Sequence, residues 1–145
     1  MGKHLIFELN SEKFGLDIES ILSIETMKSV TWVPGTKDYL KGLLNIRGEL
    51  TPIIDMRTFL SMNKSEEELK YAKIIIVYDD NEHLGLLVDE AKVIIDIPDD
   101  KIDPVSDVFE QNESMYIEGI ANLEDKGIGI LNLEKLFTVT KELVY

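Results

Sequence analysis

Alternating hydrophobic and polar residues near the N-terminus indicate a strand that continues into a hairpin. Leu5, Phe7 and Leu9 alternate with Glu8 and Asn10, the period of two that is typical of a strand with one buried face. A polar turn and a second apolar run, 14–18, complete the hairpin, and a third run covers 21–27. The pattern therefore predicts three short strands at the start of the chain.

A second hairpin is predicted in the middle of the first half. Apolar runs at 43–46 and 50–54 flank a tight turn in which Gly48 can adopt a positive φ. Asp55 then suits the N-cap position of a short apolar helix, Met56–Leu60.

The same order of elements recurs in the second half of the chain. Tyr39–Ile46 aligns without a gap on Tyr116–Leu123 at a shift of 77 positions, and Ser11–Ile18 aligns on Asn81–Val88 at a shift of 70. Because several blocks match in the same order, the sequence indicates two versions of one unit. Asn132 occupies the place that Asp55 has in the first unit.

The two units are expected to form one domain, 1–145, with approximate repeats 1–62 and 71–145 and a short helical linker, 63–70. About five short strands per unit predict a small all-β barrel for each unit. A barrel of about 65 residues is marginally stable alone, so the two are expected to share a core. The linker opens with a capping box at Ser65.

Composition and charge exclude several classes of protein. The 145 residues are 44% hydrophobic, and 15 basic against 28 acidic residues give a net charge of −13, which repels nucleic acid and anionic membrane surfaces. There is no cysteine, hence no disulfide and no thiolate metal site. Since no apolar run is long enough for a signal peptide or a membrane span, a cytoplasmic protein is expected.

The negative charge is concentrated in the second half of the chain. Residues 1–62 hold seven basic and eight acidic residues, for −1, whereas residues 63–145 hold eight and twenty, for −12. A nearly neutral surface is easier to desolvate against a protein, so the first half is predicted to carry the partner-binding face.

No pattern of catalytic or metal-binding residues stands out. The two histidines, His4 and His83, come from different units and are expected to be partly exposed strand residues. The acidic turn Asp99–Asp103 lacks the central glycine and the closing glutamate of a calcium loop. The sequence therefore predicts no enzyme activity, no cofactor and no metal, and a small acidic ligand-binding barrel is kept as an alternative.

Of the two arginines and the single tryptophan, Arg47 and Trp32 are candidate recognition residues. Arg47 lies at the tip of the second hairpin, where a planar cation suits a carboxylate of this chain or of a partner, whereas its repeat equivalent is Glu124. Arg57 is expected on a solvated helix face. Trp32 fits either the core or an exposed interface.

The second hairpin and the helix after it carry a resemblance to a known family. Tyr39–Gly48, followed by Pro52–Arg57, resembles the signature of the chemotaxis coupling proteins, the CheW family. The segments 14–18, 86–89 and 119–121 are similar to other landmarks of that family in the same order, so the resemblance covers essentially the whole chain.

The resemblance implies two pseudo-equivalent five-stranded SH3-like barrels that share a core, with short helices after each second hairpin and between the units. It implies a non-enzymatic adaptor that scaffolds the histidine kinase CheA, through the kinase's regulatory SH3-like domain, onto the cytoplasmic tips of methyl-accepting chemoreceptors and relays the receptor signal. Such a protein is cytoplasmic and is recruited to membrane receptor arrays through its partners. A coupling module for a non-chemotactic pathway of the same type is the alternative.

The resemblance also implies roles for six residues. Arg47, Gly42, Ile21 and Val88 match or fall near receptor-binding positions of the family, and Val30 falls near the kinase-facing end. Trp32 is placed with Val30 as a kinase-binding candidate.

One position departs from the family pattern. Many relatives carry a glutamate where this chain has Ser23, and that acid can pair with the signature arginine. The partner of Arg47 is then Glu25, Glu49 or an acid on the receptor tip, and these alternatives stay open.

Overall fold

Strands dominate the computed structural model, which describes residues 2–26, 37–62, 71–104, 116–123 and 126–140. The first half contributes five strands and a helix: β1 Gly2–Leu9, β2 Glu12–Asp17, β3 Ile21–Thr26, β4 Leu40–Ile46, β5 Glu49–Asp55 and α1 Met56–Phe59. The second half contributes six strands and a helix: β6 Lys73–Asp79, β7 Glu82–Val88, β8 Glu90–Ile97, β9 Ile102–Pro104, β10 Ile117–Leu123, β11 Lys126–Leu131 and α2 Leu133–Thr140. The predicted strands and the short helices after the second hairpins are confirmed.

Both helices begin at the residues that the sequence indicated. The Asp55 carboxylate accepts hydrogen bonds from the backbone N–H groups of Arg57 and Thr58, at 3.2 and 3.5 Å. Asn132 Oδ1 accepts from the Lys135 N–H at 3.1 Å. The predicted linker helix, 63–70, lies outside the described residues.

The strands form two sheets, and each sheet takes strands from both halves of the chain. The six-stranded sheet has the order β8-β1-β2-β11-β10-β9, and the five-stranded sheet has the order β3-β6-β7-β5-β4. The first hairpin of each repeat therefore joins the later strands of the other repeat. This exchange differs from the expectation of one barrel per unit.

A parallel strand pair joins each exchanged hairpin to its sheet. In the six-stranded sheet β2 runs parallel to β11, with Gly15 opposite Ile130. In the five-stranded sheet β7 runs parallel to β5, with Gly85 opposite Ile53. The two pairs are equivalent under the repeat, so the exchange is reciprocal.

Three apolar clusters follow from this arrangement. One lies within the five-stranded sheet and includes Ile53 and Ile76, and one lies within the six-stranded sheet and includes Ile6 and Ile130. The largest combines residues of both sheets, such as Phe7, and is the shared core. Neighbouring residues of β1, Ile6 and Phe7, belong to different clusters because successive strand side chains point to opposite faces.

The charge difference between the two halves does not become a difference between the two sheets. The strands of the six-stranded sheet hold four lysines and seven acidic residues, and those of the five-stranded sheet hold two lysines and five acidic residues, which is −3 in each case. The prediction that the first half carries the binding face therefore selects neither sheet. No helix within the described ranges is both long and apolar enough to cross a membrane.

Candidate partner-binding surface

Arg47 lies exposed at the tip of the β4–β5 hairpin in a constrained turn. Ile46 pairs with Glu49, so the loop consists of Arg47 and Gly48, with φ values of +53° and +88°. Positive φ at both residues is the requirement of a type I′ turn, which matches the twist of the two strands. Asn45 Oδ1 also accepts a hydrogen bond from the Gly48 N–H at 2.9 Å. The hairpin therefore holds the arginine at a defined position.

Leu50 places an apolar side chain on the same hairpin. Leu50 lies in β5, opposite Asn45 of β4, and is 66% exposed, whereas the next residue, Thr51, is fully buried. An exposed leucine beside an arginine matches an interface in which an apolar anchor has a polar rim. Leu50 was not among the predicted site residues, although the period of two places it on the face opposite Thr51.

A polar contact between two side chains lies next to this hairpin tip. Glu49 Oε2 is 2.7 Å from His83 Nδ1, at the start of β7. Tyr78, which pairs with His83 across β6 and β7, donates from its hydroxyl to the Glu19 carbonyl at 3.0 Å. The first contact connects the hairpin to β7, and the second connects β6 to the turn that precedes β3.

The other predicted receptor-binding residues do not join Arg47 in one exposed patch. Ile21, the first residue of β3, is half-buried and packs against the shared core. Gly42 is buried in β4, at an irregularity in the pairing with β5. Val88 is only 1% exposed and belongs to the shared core. Val88 thus presents no exposed side chain and Gly42 has none to present, and the receptor-binding roles of both residues stay predictions.

The predicted kinase-binding residues, Val30 and Trp32, lie outside the described residues.

Ser23, at the position where relatives carry an acid, pairs with Ile76 in the sheet, and its hydroxyl has no hydrogen-bond partner within the described ranges. Over the same part of the chain no carboxylate forms an ion pair with Arg47. Glu49, one of the two internal candidates, instead faces His83.

Arg57 is not on a solvated helix face, and that prediction was wrong. Its side chain is 9% exposed and forms a two-point ion pair with Asp89, from Nε to Oδ1 at 2.8 Å and from Nη2 to Oδ2 at 2.6 Å. A helix of four residues is too short to define a polar face by periodicity, so the sequence carried no signal for this burial.

His4 also differs from its predicted environment. It is 5% exposed instead of partly exposed, and its Nδ1 lies 3.0 Å from the Gly2 carbonyl oxygen. Its repeat equivalent is Ile74, a fully buried core residue, which explains why this position points inward. In the described part of the chain no three His, Asp or Glu residues are arranged to hold a metal ion.

Three aromatic residues meet where the two repeats come together. Phe59 of α1 contacts the ring of Tyr39 at a centroid distance of 4.9 Å and that of Tyr116 at 4.6 Å. Tyr39 and Tyr116 are repeat equivalents, so one ring from α1 packs against both. Burial raises the pKa of Tyr39, with Tyr116 and then Asp38 adding to the effect.

Comparisons with known proteins agree on one family. The family model of the CheW-like domain matches residues 3–141. The chain is 31% identical to the chemotaxis protein CheW of Bacillus subtilis over 130 residues, which cover 90% of this chain and 83% of the relative. It is 28% identical to the chemotaxis protein CheW of Klebsiella aerogenes over 135 residues, 92% of this chain and 80% of that protein.

A solved structure gives the same result for the fold. The crystal structure of the scaffolding protein TtCheW from Thermoanaerobacter tengcongensis superimposes with a TM-score of 0.87 at 31% identity, over 99% of this chain and 97% of that one. The two sheets are thus the two SH3-like barrels of the predicted fold, with the short β9 added to one of them. The match spans both barrels and the hairpin that carries Arg47, and the chain belongs to the CheW-like family of chemotaxis coupling proteins.

Proposed function

We propose that this chain is a non-enzymatic adaptor that couples the cytoplasmic tips of methyl-accepting chemoreceptors to the regulatory domain of the histidine kinase CheA. The family match over residues 3–141 carries the proposal. The role requires two protein-binding surfaces held in a fixed relation and needs no catalytic group. The adaptor itself is then cytoplasmic and reaches the membrane array through its partners.

The β4–β5 hairpin tip is the proposed receptor-binding site. Arg47 supplies a permanent positive charge and Leu50 supplies an exposed apolar side chain next to it. Because no internal carboxylate pairs with Arg47 in the described ranges, its guanidinium can pair with an acid on the receptor tip. Ile21 lies at the edge of the shared core, and Gly42 and Val88 support the strands from within.

Charge reversal at the hairpin tip tests this assignment. Arg47→Glu is expected to abolish receptor binding, and Arg47→Ala to weaken it by about 1–3 kcal/mol, the range for a charge-assisted hydrogen bond at an interface. Titration of purified chain against a soluble receptor-tip fragment, with binding measured by calorimetry, gives both values.

Lys126→Glu is the matched control for this experiment. Lys126 is exposed at the start of β11, on the equivalent hairpin of the other sheet, and its reversal changes the net charge by the same amount. The control is expected to bind the receptor fragment normally. Equal losses in both variants, or normal binding by a folded Arg47→Glu variant, would remove Arg47 from the receptor site.

A further inference from the structure

Asp89 occupies the point where the chain passes from one barrel to the other. β7 of the five-stranded sheet ends at Val88, and β8 of the six-stranded sheet begins at Glu90, so a single residue makes the connection. Its side chain is 18% exposed. A residue at this point experiences any change in the relative orientation of the two sheets.

Both sheets bind this residue. From the five-stranded side, Arg57 of α1 forms the two-point ion pair described above. From the six-stranded side, the Asn10 N–H in the β1–β2 turn donates to Asp89 Oδ2 at 2.8 Å, and the Asp89 N–H donates to the Glu8 carbonyl at 3.0 Å. The Asp89 carboxylate therefore accepts hydrogen bonds from residues attached to both sheets.

The first repeat forms the equivalent connection without such an ion pair. The passage from β2 to β3 runs through a short 3₁₀ turn, Ile18–Ser20. The repeat equivalents of Asp89 and Arg57 are Glu19 and Glu134, two acids that cannot form an ion pair with each other. Since the same crossing is built without an ion pair, the fold does not require one at Asp89.

The chemistry of the pair favours a positional role. A planar guanidinium that donates two parallel hydrogen bonds fixes the direction of the carboxylate as well as its distance. A buried ion pair adds little net stability compared with apolar residues of the same volume, because removing both charges from water is costly. What it supplies is a defined geometry.

We propose that the Arg57–Asp89 pair holds the two barrels at the relative orientation through which the adaptor relays a receptor signal to the kinase. Arg57 and Asp89 are then positioning residues, and neither contacts a partner. This inference rests on the proposed coupling function and adds to it the element that makes the coupling rigid.

The double variant Arg57→Met/Asp89→Asn removes the ion pair with limited damage to the fold. Methionine fills part of the space of the arginine stem, and asparagine keeps a side-chain oxygen for the Asn10 N–H. The control is Glu19→Gln/Glu134→Gln at the repeat-equivalent positions, which also removes two charges but raises the net charge by two, whereas the double variant leaves the net charge unchanged.

The inter-barrel geometry can be measured because the chain contains no cysteine. Lys41→Cys on β4 and Asp96→Cys on β8 place spin labels at exposed positions of the two sheets. Pulsed electron paramagnetic resonance is expected to show a shifted or broadened distance distribution in the double variant and an unchanged one in the control. An unchanged distribution in the folded double variant overturns the inference.

The relay of the receptor signal to the kinase is tested with the purified kinase and receptor-containing membranes. The double variant is expected to bind both partners with wild-type affinity and to change receptor-controlled kinase activity by about 5-fold or more, the usual lower range of an allosteric coupling. Normal receptor control, or loss of binding that explains the whole effect, argues against the positioning role. Failure of the wild-type chain to bind either partner rejects the proposed function instead, and the distance measurement still tests the pair.

Discussion

The backbone at Arg47 has a conformation that is unfavourable for its residue type. Other turn residues with a positive φ in the described ranges include Asn10 at +51° and Asp80 at +53°, residue types that tolerate this conformation. Arginine gains no local hydrogen bond there and costs about 1 kcal/mol. A residue that is unfavourable for the turn but exposed at its tip fits recognition better than folding.

At the same scale, Glu118 is expected to make stability depend on pH. The residue is exposed, but partial burial of its carboxyl raises the pKa; His4 opposes the shift and Asp17 adds to it. A raised pKa in the folded state means that the protonated form is favoured, so the contribution to stability is present at low pH and is lost as the pH rises through the folded-state pKa.

Glu118→Gln should therefore raise the melting temperature at pH 7 and have a smaller effect near pH 4. Thermal unfolding followed by circular dichroism at the two pH values measures this difference. Glu12→Gln, at an exposed position of β2, controls for the loss of one negative charge. An equal gain at both pH values would contradict the assignment.

Single residues were predicted well where the local pattern determined them. Asp55 and Asn132 follow an apolar strand directly, and such positions favour helix caps. The burial of Arg57 could not be predicted, because it depends on Asp89, which is distant in the sequence. The burial of His4 had a signal in the repeat, since its equivalent is the apolar residue Ile74.

At the scale of elements, the two parallel strand pairs depend on a glycine in each repeat. Gly85 faces Ile53 and Ile74, and an added Cβ would overlap Ile53 Cδ1. At the equivalent Gly15 the nearest atom to an added Cβ is Ile130 Cδ1, at 3.1 Å. The two barrels therefore share one design but differ in how tightly it is packed.

Gly85→Ala is expected to destabilise the protein by about 1–3 kcal/mol, the range for overpacking a core, and Gly15→Ala by less. Chemical denaturation of the two variants gives the comparison directly. If Gly15→Ala costs more than Gly85→Ala, the packing difference between the two barrels is not the one that the structure indicates.

At the scale of the whole molecule, the exchange of hairpins determines which part of the chain can fold as a unit. All strands of the five-stranded sheet lie between Ile21 and Val88, a continuous segment. The repeat unit 1–62 instead contains β3, β4 and β5 without β6 and β7, the strands that join them.

A fragment of residues 21–88 is therefore expected to keep native-like strand pairing, although its side chains in the shared core become exposed because the six-stranded sheet is missing. A fragment of residues 1–62 is expected to be unfolded because its sheet is interrupted. Nuclear magnetic resonance spectra of the two fragments distinguish these states. A folded, monomeric 1–62 fragment would show that the repeat can complete a barrel by itself.

The sequence could predict two repeats and their strands but not the exchange between them. Ile6 and Phe7 of the first hairpin correspond to Ile76 and Val77 of the second, and all four side chains are buried. Because both hairpins are apolar on both faces, either one satisfies the pattern of either barrel. The choice depends on chain geometry in three dimensions, which hydrophobic periodicity does not encode.

The exchange also sets an order in which the protein can assemble during synthesis. Every strand of the five-stranded barrel has been made once Val88 emerges from the ribosome, so this barrel can close early. The β1–β2 hairpin is made first, but its partners β8 and β11 end only at Ile97 and Leu131. The β1–β2 hairpin can thus form by itself early, but its outer edges stay unpaired until β8 and β11 have been made, and these edges are open to wrong contacts in the meantime.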